Sequence, residues 1–109
     1  APRLAAHVWV GAYLRRLSLA EIPAYVIRHG DDTAGAVLVK CATLDGQATL
    51  WRREWDFETD TRPWTQIGSG PEPEIDATIQ RQSGFDPDLW VIEIESRSGQ
   101  TLLDAEGLI

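Results

Sequence analysis

The dipeptide Asp45-Gly46 stands between two strand-like runs, residues 36–43 and about 48–55. Asp-Gly at such a point is a strong short-range hairpin signal, because a two-residue type I′ turn needs positive φ at both central positions. A two-residue loop here pairs Ala42 with Thr49, Lys40 with Trp51 and Leu38 with Arg53. Lys40 opposite Trp51 would then make a cation–π contact of roughly 0.5–1 kcal/mol if exposed. In this register both hairpin faces are mixed. One carries Val37, Val39, Cys41 and Leu50 with Arg52 and Glu54, and the other Leu38, Trp51 and Trp55 with Lys40 and Arg53. A sheet with one wet face alternates more cleanly, so the second face is expected to be partly covered by a partner subunit or by the chain ends.

The remaining elements follow from periodicity. From about residue 5 to 20, Val10, Tyr13, Leu14 and Leu17 recur at helical spacing, with Val8 and Trp9 widening the stripe, and Pro23 ends the segment. Gly11 lies inside this helix at a cost of roughly 1 kcal/mol against alanine, which suggests close approach by another backbone. Residues 24–28 read as a first strand and 62–68 as a fourth, with Pro63 favouring an edge or a strand start. Pro71, Glu72, Glu74 and Asp76 suit the start of a second helix, with Ile75, Thr78, Ile79 and Gln82 inward and Gly84 at its C′ position. Residues 89–95 alternate, Trp90, Ile92 and Ile94 on one side and Val91, Glu93 and Glu95 on the other. The order α-β-β-β-β-α-β predicts one α+β domain over residues 1–109: a mostly antiparallel sheet of about five strands with two helices on one face.

Composition narrows the partners. The net charge of −7 disfavours nucleic acid and anionic membranes. No apolar run approaches the ~20 residues of a membrane span, and the start, Ala1-Pro2-Arg3-Leu4, has no long apolar h-region. The single cysteine, Cys41, excludes an intrachain disulfide and points to a reducing, cytoplasmic setting. Five Trp in 109 residues are expected to be mostly core, while the excess raises the prospect of an interface.

Four constellations bear on chemistry. Asp86 and Asp88, ahead of a strand carrying Glu93 and Glu95, could hold a hard divalent cation or share a proton. Such acids would serve a metal-dependent hydrolase or nuclease-like enzyme, with Arg28 or Lys40 on an anionic substrate. Their plainer reading is a solvated strand face with an Asp turn, as is that of the alternating acids Glu54, Asp56, Glu58 and Asp60. The loop from Arg28 to Gly35 could form a concavity of backbone N–H groups for an anion, although Asp31 and Asp32 argue against it. Cys41 with His7 or His29 has no supporting spacing, and no metal or cofactor is expected. Trp51, Arg52, Arg53 and Trp55 mix rings with cations, and in so acidic a chain they read as core plus a salt-bridged or oligomer face. The preferred reading is a non-enzymatic, self-associating or protein-interaction domain, a homodimer with Gly11, Trp51, Arg53 and Trp55 at its interface and room for a protein partner.

The segments Gly35-Ala36-Val37-Leu38-Val39-Lys40 and Phe85-Asp86-Pro87-Asp88-Leu89-Trp90-Val91-Ile92-Glu93-Ile94-Glu95, with Tyr13-Leu14-Arg15-Arg16 and the Gly30-Asp31 and Ala34-Gly35 pairs, resemble a known family. It is the alphaproteobacterial family catalogued as domain of unknown function 1491, and the resemblance runs in order over nearly the whole chain. It implies a bacterial, cytosolic protein and brings no activity and no catalytic residue. Arg is commoner in that family where His29 stands here.

Overall fold

The computed structural model describes residues 5–53 and 63–104. Trp55, the acidic stretch 54–60 and Arg62 lie outside them. The elements run α1 (Ala6–Leu19), β1 (Ala24–Arg28), β2 (Val37–Ala42), β3 (Gln47–Arg53), β4 (Trp64–Pro71), α2 (Glu72–Phe85) and β5 (Trp90–Glu95). The five strands form one mixed sheet in the order β1-β5-β2-β3-β4. Only β2 and β5 run parallel, and the other three neighbouring pairs are antiparallel. Class, strand number and element order are those expected.

The helices do not share a face. Trp9, Val10, Tyr13 and Leu17 of α1 are buried with Val37, Val39, Cys41, Trp90, Ile92 and Ile94. Ile75 of α2 is buried with Leu38, Ala48, Leu50, Leu89 and Val91. Successive strand residues point to opposite faces, so these two sets lie on opposite sides of β2 and β5. Every residue of β2 is buried. Its near-continuous apolar run is what a strand covered on both faces requires. The mixed faces expected from the sequence belong to a register that the hairpin does not adopt. It pairs Ala42 with Ala48, Lys40 with Leu50 and Leu38 with Arg52, one residue off the two-residue-turn register. A one-residue slip moves a whole strand's side chains to the other face. In the observed register Leu38, Leu50 and Ala48 share the α2 face, while Trp51 moves to the α1 face, so the anticipated Lys40–Trp51 contact does not form.

The cause lies in the loop. Thr43 N–H donates to the Gln47 carbonyl at 3.1 Å, closing a three-residue connection. Asp45 Oδ1 accepts from the Thr43 hydroxyl at 2.5 Å and from Gln47 N–H at 3.1 Å. Leu44 (φ 62°) and Gly46 (φ 86°) take left-handed conformations. The Gly46 carbonyl then accepts from Glu72 N–H at 2.9 Å, tying the turn to the start of α2. That helix runs through Gly84 to Phe85 with Asp86 as its C-cap, three residues beyond the stop that Gly84 at C′ implies. Pro87 holds Asp86 out of the α region.

The connection between β1 and β2 anchors α1. The carbonyls of Thr33 and Asp32 accept from Ala6 and His7 N–H at 3.0 and 2.8 Å, satisfying amides at the helix start. The loop lies on Trp90, whose Nε1–H donates to the Asp31 carbonyl at 2.8 Å and whose ring stacks on His29 at 4.0 Å. A Cβ on Gly30 would strike the Asp88 carbonyl, and one on Gly35 would lie 2.5 Å from it. On Gly11, by contrast, a Cβ meets nothing within 4 Å, so no backbone of the described residues approaches there. Gly30→Ala is therefore expected to destabilise by roughly 1–3 kcal/mol. Gly11→Ala should stabilise by roughly 0.5–1 kcal/mol. Urea denaturation of the two variants checks both signs.

Candidate functional site

Lys40 is the only buried charged residue among those described, at 3% exposure. An ammonium carries three N–H donors, and each meets a carboxylate here. Nζ lies 2.7 Å from Asp76, 2.9 Å from Glu72 and 2.9 Å from Glu93. The fold delivers all three. Lys40 and Glu93 are register partners in the parallel β2–β5 pair. Glu72 and Asp76 are four apart on α2 and so share one helix face. Burial alone would depress the Lys40 pKa, but the bonds to Asp76, Glu72 and Glu93 outweigh it and hold the amine well above its ordinary range. An amine kept charged in this way is neither a general base nor a nucleophile, since both roles need the neutral form.

The acids singled out from the sequence are separated. Asp86 Oδ1 accepts from Asp88 N–H at 3.0 Å within the turn before β5. Glu93 faces Lys40. Glu95 accepts a hydrogen bond from the Tyr25 hydroxyl and is the largest cause of that phenol's raised pKa. Among the described residues no group of three or more His, Cys, Asp or Glu is arranged to hold a metal ion. The carboxylates that do converge are Glu72, Asp76 and Glu93, and the cation at their centre is the protein's own. In the sequence Glu72 and Asp76 read only as partners of the helix dipole. The signal that points to them is a lone lysine in an apolar run, which cannot be buried without partners.

The other candidates also resolve into structure. Asp31 Oδ2 accepts from Thr33 and Ala34 N–H at 3.1 and 2.8 Å, and these bonds lower its pKa. The amides that would have cradled an anion are thus occupied. Cys41 is fully buried in the α1 core, where desolvation raises its thiol pKa despite a bond to Thr49. His7 and His29 bond instead to Asp32, the one to its carbonyl and the other to its carboxylate. Trp51 is half-buried with Nε1–H on Thr49 Oγ1 at 3.0 Å, and the Arg53 guanidinium lies over the Trp9 and Trp64 rings at 5.9 and 5.7 Å. Arg28 donates to the Pro87 carbonyl at 3.1 Å, while its buried Nε–H has no acceptor.

Two open surfaces among the described residues bear on function. β1 is an edge strand, and its consecutive Tyr25, Val26 and Ile27 are 49%, 43% and 58% exposed. On the other helix-bearing face, α2 packs against β2, β3 and β4. A trough is left beside it, lined by Ile27, Val91, Ile79 and Gln80.

Lys40→Met leaves three carboxylates without their cation. The expected loss at pH 7 is roughly 3 kcal/mol, the low end for a broken buried ion pair because the acids keep some contact with water. The folded-state pKa of Lys40 is raised, so its contribution is fully present below the unfolded value of about 10.4 and is lost as pH rises through the folded value. On the alkaline side the gap between wild type and variant, read from urea denaturation, should therefore hold from pH 7 to about 10.4 and narrow above it. Cys41 should resist a thiol reagent in the native protein and react on unfolding, as a burial-raised thiol does.

Comparison with known proteins adds the family and no activity. The model for "Protein of unknown function (DUF1491)" matches residues 4–104. No curated protein matches the chain. The crystal structure of a DUF1491 family protein from Caulobacter crescentus CB15 is similar at 42% identity over 92% of each chain, with a TM-score of 0.80. An NMR structure of a DUF1491 family protein from the same organism gives 39% identity over 93% of each chain and a TM-score of 0.82. The solution structure of protein Atu0922 from A. tumefaciens gives 30% identity over 87% of each chain and a TM-score of 0.74. The chain is thus a member of the DUF1491 family.

Proposed function

We propose that this protein is a non-enzymatic interaction domain that self-associates through the free edge of β1. The observation that carries this reading is the run of three exposed apolar residues, Tyr25, Val26 and Ile27, on an edge strand. An edge strand presents unpaired N–H and C=O groups to any strand that meets it, and natural proteins usually blunt such an edge with charge or proline. β1 has neither before Arg28. Antiparallel pairing of two β1 strands about a two-fold axis would join two sheets, the simplest closed assembly. The irregularity between Val26 and Arg28 restricts the pairing to a short stretch and predicts a weak, reversible dimer.

The chemistry of the interior supports the non-enzymatic part. Its one amine is held charged and its one thiol is buried with a raised pKa. A buried free thiol also suits a reducing, cytoplasmic setting. Trp51 and Arg53 make their contacts within the chain, so the proposed interface rests on β1, with Gly11 on the open face of α1 as a second place of approach.

Sedimentation velocity across the micromolar range is expected to show a monomer–dimer equilibrium. Val26→Lys should shift it to monomer by placing a charge on the edge, with thermal unfolding nearly unchanged. A clean wild-type monomer at high micromolar concentration overturns the reading.

A further inference from the structure

The trough beside α2 is polarised along its length. One end, about 370 Å³, is lined by Lys40, Asp76 and Glu93. The other, about 440 Å³, is lined by Arg28, Ser83 and Gly84. Ile27, Ile79, Gln80 and Val91 line both, so the two are one continuous groove with a mainly aliphatic floor. At the first end three carboxylates share one ammonium, which leaves two net negative charges. At the second end the Arg28 guanidinium has a single backbone acceptor and a buried Nε–H without one, and no carboxylate among the described residues pairs with it.

We propose that this groove holds an extended peptide segment with a basic group at one end, a carboxylate at the other and aliphatic side chains between. The cation lies against Asp76 and Glu93, the aliphatic part covers Ile27 and Ile79 above the buried Val91, and the carboxylate accepts from Arg28. Charge complementarity selects this occupant. An anion alone would meet the surplus carboxylates. A cation alone would leave the Arg28 guanidinium without a counter-charge. A purely apolar segment would desolvate both ends without compensation. Charge-assisted bonds of the arginine–carboxylate kind are the stronger class of hydrogen bond and supply direction. The open, elongated shape suits a segment in extended form more than an enclosed small molecule. The groove shares Ile27 with the β1 edge but is lined chiefly by α2 and β5, so this inference does not depend on self-association.

The test uses the full chain labelled with ¹⁵N, in the Val26→Lys background so that dimerisation does not intervene. The probe is a synthetic N-acetylated peptide of one lysine followed by two leucines and a free C-terminal carboxylate. Two controls are its C-terminal amide and the analogue with norleucine for lysine. Titration should move the amide resonances of Ile79, Gln80 and Val91 saturably. Each control should bind about two- to fivefold more weakly, as expected when one exposed ion pair is removed. Arg28→Ala should abolish the preference for the acid over the amide. Asp76→Asn, which leaves Lys40 two carboxylates, should reduce the preference for lysine over norleucine. The comparison of the three peptides needs no variant at either charged end to fold. Equal affinity for all three peptides, shifts confined to other residues, or no shifts up to about 10 mM would each overturn the proposal.

Discussion

A single ammonium buried in a central strand sets much of how this domain is assembled. Lys40 sits in β2, the strand with a neighbour on each side and a helix over each face. Its three donors reach β5 through Glu93 and α2 through Glu72 and Asp76. One side chain therefore links the hairpin, the parallel partner strand and the helix that connects β4 to that strand. A buried charge is tolerated only where its partners are complete. An arrangement that fails to bring α2 and β5 together over β2 leaves the amine unpaired. An apolar residue at position 40 would pack against α2 in several registers, whereas three directed ion pairs favour one.

The same site shows why spacing along the chain carries only part of the answer. Helix α1, the strands and the alternation of residues 89–95 are set by short-range periodicity and are legible directly. The acid cluster is not local. Glu72 and Asp76 lie more than thirty positions from Lys40, and Glu93 more than fifty. Their convergence depends on the parallel β2–β5 pairing, which follows from the crossover and from no short motif. Both ends of the cluster have other adequate explanations in the sequence, the helix dipole for Glu72 and Asp76 and a solvated strand face for Glu93. The lysine is the legible member, since it interrupts an apolar run that must be buried on both sides.

The hairpin carries the other lesson. Asp45-Gly46 marks a turn, but the loop is one residue longer than the dipeptide alone implies. Side-chain bonds from Asp45 to Thr43 and Gln47, and the docking of Gly46 onto α2, favour the longer loop. One residue of register moves Leu50 and Ala48 to the face of Leu38 and Trp51 to the face of Val39. The apparent need for a partner over the hairpin follows from that slip. In the observed register α2 covers Leu38, Ala48 and Leu50, and the apolar strand surface left bare lies on β1, at the far edge of the sheet.

Coverage by α2 stops short of that edge. The helix packs over β2, β3 and β4 and its Ile75 also shares a core with Val91 of β5, so β1 is the strand that extends beyond it on that face. β5 remains protected because β1 pairs with it and the α1 core lies beneath. Among the described residues β1 has no such neighbour on its outer side. A helix placed nearer the β1 edge would bury Ile27 as well and close the groove, but it would draw Glu72 and Asp76 away from Lys40. The ion cluster thus fixes the helix off-centre, and the open groove and the bare strand edge both follow from where that amine holds it.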